Sequence, residues 1–331
     1  MKVIDCHGHY MPHRLMEAFR ELPFARSTSF LWNDPALSDL DHHVKVMDSL
    51  GVDAMVLVPS IILIESIRAA GVTSEEGMRI VDDAHAEAMR THPGRFIGTV
   101  ALDPFSGKAG LSEIERGVTK LGLKAISIKA SYDGLYVDDE QFWPIYRLAQ
   151  ELRVPVMVHP ANITPYWKEM QRSKTTLLRS EISMLLDTTI CIGRFVRYGI
   201  YDKFPEVDFL FCKLGGMIPM LFRQFELTKY LYTHAPKEAV IGEAISFPVK
   251  SLRDYPGRIF GDTHAMDRVG IACAAENLGE DCIIYGGDYP ISPWEEGMAA
   301  DLQEVKETRL SASAREKILG GNAVRIFGLE G

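Results

Sequence analysis

Four residues of this sequence have the types and spacing of a metal site. His7 and His9 stand two apart in "DCHGH". Along an extended strand such residues project from the same face, so two imidazoles can converge on one ion. His159 ends the apolar run "VPVMVHP"; Asp288 ends "IIYGGD", after Gly286 and Gly287, which let two backbones approach closely. Singly, each has a plainer account: a hydrogen-bonded histidine pair, a satisfied strand-end histidine, an aspartate capping the next helix. Together, these nitrogens and this carboxylate would hold one Zn²⁺ or, alternatively, Mn²⁺, with a position open for water or substrate.

Bringing them together requires strands that end at one place. Short β-rich runs recur along the chain: "VIDCH", "AMVLVP", "FIGTVAL", "AISIKA", "PVMVHP", "DFLFCKL", "RIFGDT" and "CIIYGGDYP", each followed by a helical stretch. Eight such runs predict a parallel sheet, and eight is the number that closes a (β/α)8 TIM barrel. The four candidate ligands then fall at the C-terminal ends of strands one, five and eight, the face where barrels carry their active sites. Helices are expected over 73–92, opening with a Thr73/Glu76 capping box, and over 110–121, 140–152, 217–233, 267–278 and 311–327. No Pro, Gly or Ser linker divides the chain and no repeat is visible, so residues 1–331 read as a single domain, a distorted α/β barrel with helical insertions. Two connections are long, about 10–41 and 161–205, and both belong to the active-site end. The second carries an apolar helical stripe, "MLLDTTICIGRFV". It reads either as a lid that also meets another subunit or as a helix that covers the barrel.

The 331 residues, 47% hydrophobic, suffice for one large barrel with a buried core. A net charge of -9 without any basic run argues against nucleic acid and anionic membranes as partners, which leaves a small molecule. Five scattered cysteines without CxxC spacing argue against a disulfide framework or a structural zinc knuckle. The N-terminus turns polar after four residues and no apolar run approaches membrane-spanning length; "IILI" at 61–64 suits an element edge or an interface. A cytoplasmic location is expected.

In order and spacing, "IDCHGHY", "MDSLGVDAMVLVP", "GRFIGTVALDP", "LRVPVMVHP", "KLGGMIPML", "CIIYGGDYP" and "KILGGNAVRIFGL" resemble the amidohydrolase superfamily nearly end to end. The likeness is to the branch similar to 2-amino-3-carboxymuconate-6-semialdehyde decarboxylase and the hydroxybenzoate-type decarboxylases. It implies that His7, His9, His159 and Asp288 bind one divalent metal, zinc or manganese, and that the chain forms a homodimer or higher homo-oligomer.

The departures bear on the reaction. Where the family usually carries an acid/base histidine before the glycine pair of the sixth strand, this chain has Lys213, in "CKLGG". An ammonium cannot ligate a second metal, so one ion is expected. Lys213 would exchange protons as general acid or base, hold a substrate carboxylate, or serve only the structure. Lys129, in "ISIKAS", stands where binuclear relatives carry a metal-bridging lysine, and here reads as a solvated or salt-bridged one. Arg223 stands where relatives often place a substrate-binding arginine, a surface pair with Glu226 being its alternative. His264, in "FGDTHAMD", would bind substrate in the barrel mouth or cap the next helix, and His43 replaces a carboxylate-binding arginine of the decarboxylases.

The branch implies a metal-dependent lyase: non-oxidative decarboxylation of an aromatic or unsaturated carboxylic acid, with a ring or vinylic carbon protonated before carbon dioxide departs. A hydrolase or hydratase acting on a lactone, amide or related carbonyl compound is the second expectation, Asp288 then taking a proton from a bound water. A barrel that binds a ligand without catalysis is the third, because Lys213 replaces the residue that most often decides the reaction.

Overall fold

The computed structural model describes residues 2–22, 35–60, 62–161, 178–234, 249–291 and 294–330. All eight expected runs form strands: β1 (Ile4–His9), β2 (Ala54–Val58), β3 in two pieces (Phe96–Gly98 and Val100–Ala101), β4 (Ile126–Lys129), β5 (Val156–His159), β6 (Phe209–Phe211), β7 (Ile259–Asp262) and β8 (Ile283–Ile284). Each pairs in parallel with the next. The sheet closes on itself because the Cys6 N–H donates to the Tyr285 carbonyl at 2.8 Å and the His9 N–H to the Tyr289 carbonyl at 2.7 Å. The break in β3 falls at Thr99, whose hydroxyl donates to the Leu57 carbonyl while its own carbonyl accepts from His85 Nδ1, both at 2.8 Å. This is the distorted (β/α)8 barrel expected. Both faces of its strands are covered, so they read as apolar runs rather than as alternating patterns; every residue of β2 is buried.

Helices stand where expected to within a few residues: Ser74–Thr91, Lys108–Thr119, Trp143–Leu152, Phe222–His234, Arg268–Leu278, and a last stretch from Ala312 to Ile326 with a π turn at Lys317–Gly321. The capping box is only half made. Thr73 accepts from the Glu76 N–H at 3.2 Å, but the Glu76 carboxylate pairs with Arg14 instead of turning back. The closing segment is fastened to the last strand by Asn322, whose amide donates to the carbonyls of Glu280 and Ile283 at 2.8 and 2.7 Å.

Within the two long connections, residues 23–34 and 162–177 lie outside the described residues. The apolar stripe of the second forms the helix Met184–Arg197, with Cys191, Ile192, Phe195 and Val196 fully buried and the Phe195 ring 5.0 Å from that of Phe209. It covers its own barrel, one of its two expected roles. Of "IILI", Ile61 is outside the described residues, and Ile62, Leu63 and Ile64 are buried. No described helix is long and apolar enough to cross a membrane. The helix Phe222–His234 meets the core only at its start: it buries only Phe222 and exposes Leu227, Tyr230, Leu231 and Tyr232.

Candidate active site

The ends of β1, β5 and β8 meet, and the donor atoms of His7, His9, His159 and Asp288 lie within 4.8 Å of one another, all four residues buried. The orientation of the rings is set from behind. His7 Nδ1 donates to Asp262 Oδ2 at 2.9 Å, His9 Nδ1 to the Val58 carbonyl at 3.3 Å, and His159 Nδ1 to the Pro160 carbonyl at 2.8 Å. An oxygen acceptor at Nδ1 fixes a proton there, so the neutral form of each ring has its lone pair at Nε2, turned toward the other donors. Asp288 Oδ1 stands 2.9 Å from His9 Nε2 and 3.5 Å from His7 Nε2, and it is buried without a hydrogen-bond partner. In that form the lone pairs and an anionic oxygen face one another and repel unless a proton or a metal ion stands among them; against burial, Asp262 and Asp288 raise His7 and so favour positive charge at this point. The residues present therefore fit one divalent ion.

Two glycines and an aspartate make this geometry possible. Asp288 sits in the left-handed region at φ 54°. Asp5 Oδ1 accepts from the N–H groups of His7 and Gly287 at 2.8 and 2.9 Å, tying β1 to the turn after β8. A Cβ on Gly286 would stand 2.9 Å from that of Asp262, and one on Gly287 would stand 2.8 Å from Asp5 Oδ2.

Behind the four convergent side chains lies a layer of charged groups. Asp262 accepts from His7 Nδ1, from the Lys213 N–H at 2.9 Å and from the His264 N–H at 3.1 Å. Burial would raise its carboxyl, but His7 and His264 outweigh it and hold the group at about 2. His264 Nε2 lies 3.0 Å from Asp288 Oδ2, and its Nδ1 donates to Asp301 at 2.9 Å. Burial and the Lys213 charge lower this imidazole, yet Asp288 and Asp301 carry it up to about 9. Burial, reinforced by His7 and His9, pushes His159 well below the usual histidine range, which keeps its ring neutral. Asp288, raised by burial, is drawn well below the carboxylate range by His264 and His7.

A sequence model of the amidohydrolase family matches residues 4–329. The chain belongs to that family. This amidohydrolase is 24% identical over 252 residues to 2-amino-3-carboxymuconate-6-semialdehyde decarboxylase of Dictyostelium discoideum, a match spanning 76% of the chain and 66% of that protein, just under two thirds of its length. It is 21% identical over 362 residues to 2-keto-4-carboxy-3-hexenedioate hydratase of Sphingobium sp., covering 99% of the chain and 96% of that protein. The crystal structure of a dihydroxybenzoic acid decarboxylase from Polaromonas sp., with bound manganese and the inhibitor 2-nitroresorcinol, matches the fold with a TM-score of 0.78 at 24% identity, covering 99% and 97% of the two chains.

The amidohydrolase gathers most of the residues singled out in its sequence. His264 reaches Asp288 rather than capping the next helix, whose cap is Asp267, accepting from the Gly270 N–H at 2.7 Å. Lys213 is buried at the start of a turn in which four successive residues are left-handed, with φ of 56°, 54°, 73° and 69° through Gly216. A Cβ on Gly216 would stand 2.3 Å from the Leu185 carbonyl oxygen. Arg223 lies elsewhere, exposed on the helix Phe222–His234, and Glu226 accepts from the Ser251 hydroxyl. His43 is fully buried against the carbonyls of Asp39 and His9, at 2.8 and 3.1 Å, and supports β1. Lys129 lies 3.9 Å from Glu65 Oε1 and over the Tyr132 ring. Asp5, Asp262 and Asp301 were not singled out. A local signal existed for two of them: Asp5 precedes His7, and Asp262 precedes His264, by two residues, and each carboxylate accepts that histidine's N–H.

Proposed function

We propose that this amidohydrolase is a metal-dependent carboxy-lyase that decarboxylates an aromatic or unsaturated carboxylic acid without oxidation. One divalent ion, zinc or manganese, is assigned to His7, His9, His159 and Asp288. The observation that carries the reading is the trio of oriented Nε2 lone pairs turned toward one buried carboxylate. When bound, the ion supplies a Lewis acid for the substrate's carboxylate and neighbouring oxygen. The chain's own groups manage the proton. Lys213 Nζ is assigned delivery to the carbon that bears the carboxylate; the carbon–carbon bond then breaks, its electron pair restores the π system, and carbon dioxide leaves with the proton in its place. His264 Nε2, held by Asp301 through Nδ1, binds substrate oxygen beside Asp288. The carboxylate contact expected of Arg223 has no support within one chain. A second copy is assigned to the exposed helix that carries it, and the five unpaired cysteines support a cytoplasmic setting.

The test is metal content per chain by elemental analysis on wild type and His159→Ala, joined to carbon dioxide release from a panel of hydroxybenzoates. About one zinc or manganese per chain, lost in the variant, together with release, supports the reading. Metal unaffected by the substitution would remove the site. The second reading, a hydratase, is favoured by Lys213 in place of the family's histidine and by the end-to-end match to the Sphingobium enzyme; its mark is a hydrated product without carbon dioxide.

A further inference from the structure

The helix Met184–Arg197 covers the barrel with an apolar face, and one carboxylate, that of Asp187, is fully buried in the middle of it. A carboxylate so placed needs donors. The Ala161 N–H reaches Asp187 Oδ2 at 2.8 Å, and the Ser131 hydroxyl reaches its Oδ1 at 2.9 Å. Burial raises this carboxyl, and the donors, Ala161 foremost, draw it back down.

The N–H of Ala161 and the carbonyl of Pro160 belong to one peptide group. That group is trans, so the two point in opposite directions from one rigid plane. The carbonyl is the one that accepts from His159 Nδ1, at 2.8 Å. A continuous line of hydrogen bonds therefore runs from the Asp187 carboxylate, through one peptide, to the ring whose Nε2 is assigned to the ion. His7 and His264 each meet a carboxylate directly at Nδ1, Asp262 and Asp301, both at 2.9 Å. His159 meets its carboxylate one peptide removed.

We infer that Asp187 is a positioning residue for His159: it holds the peptide between Pro160 and Ala161, so directing the carbonyl that orients the ring, and polarises that carbonyl so that Nε2 is a stronger donor to the ion. The inference rests on the reading of His159 as a metal ligand. Hydrogen bonds in a chain strengthen one another, and a more negative acceptor at Nδ1 raises the basicity of the nitrogen across the ring.

Asp187→Asn is the test, because it keeps the shape, removes the charge and turns an NH2 toward one of the two donors. Zinc binding, measured by competitive chelator titration, is expected to weaken about three- to tenfold, less than on loss of a carboxylate in direct contact with a ligand. In protein with isotope-labelled histidines, the Nδ1–H resonance of His159, assigned by its loss in His159→Ala, should move upfield. Arg194→Met is the control, since it breaks the bond that fastens the same helix to Asp138 at 2.6 Å without touching the peptide. It should leave both readouts in place. Zinc affinity of folded Asp187→Asn within twofold of wild type, an unmoved resonance, or an equal loss in Arg194→Met would each overturn the inference. Should Asp187→Asn fail to fold, Asp187→Ser, which removes the charge without adding an amide, is measured in its stead with the same expectations. A wild type that takes up no zinc would refute the metal site, and the resonance in the metal-free protein would still decide whether Asp187 governs the ring.

Discussion

Replacing Asp262 by Asn tests the idea that this site is oriented from behind. The native carboxylate accepts from three donors: His7 Nδ1, the Lys213 N–H and the His264 N–H. An amide of the same shape cannot serve all three. With its NH2 toward His7, it forces the proton of that ring onto Nε2 and abolishes the lone pair aimed at the ion. With its oxygen toward His7, its NH2 meets two backbone N–H groups head on. Loss of such a supporting carboxylate weakens metal binding by about 10–100-fold, or about 1.4–2.7 kcal/mol. The metal-free protein should also be weakened. A buried carboxyl held at about 2, against an ordinary 3.8, contributes about 2 kcal/mol at neutral pH. That contribution is present above pH 3.8 and lost as pH falls through 2. The assays are competitive chelator titration for the ion and urea unfolding for the apoprotein. A folded Asp262→Asn protein that binds manganese within twofold of wild type would refute the tautomer argument.

Two further outcomes are expected. Lys213→Met should abolish turnover while about one metal per chain remains; undiminished turnover would take the lysine out of the reaction. His85, fully buried on the flank of β3, is pushed by burial from an ordinary 6.5 down to about 4, against its bond to Thr99. The unfolded chain takes up that proton first, so the contribution is whole above pH 6.5 and disappears as pH falls through 4, about 3 kcal/mol in all. Urea unfolding of His85→Gln should show a shallower loss of stability across that interval, and an unchanged slope would contradict the assignment.

The barrel was legible because its strands are buried on both faces and so survive in the sequence as apolar runs. The four candidate ligands were legible for a related reason: each stands at a strand end, where local spacing already says which way the side chain points. What was not legible depends on meetings across long stretches of chain. Asp301 reaches His264 from 37 residues away, and Arg14 takes Glu76 away from its capping box across 62. Neither meeting leaves a local trace. Arg223 shows the same limit. Its place a few residues after "KLGG" is plain in the sequence, but which way its helix faces depends on the turn before it, where four residues in succession are left-handed.

That turn also separates the framework of the site from the side chain proposed as its acid. Asp262 grips position 213 by the backbone N–H, a group that every residue except proline possesses. This hold does not depend on the side chain at 213, so under the proposed reaction one proton carrier can replace another there while His7, His9, His159 and Asp288 keep their places. Position 213 is held by its backbone, so the fold sets where a side chain stands there and leaves open what that side chain is.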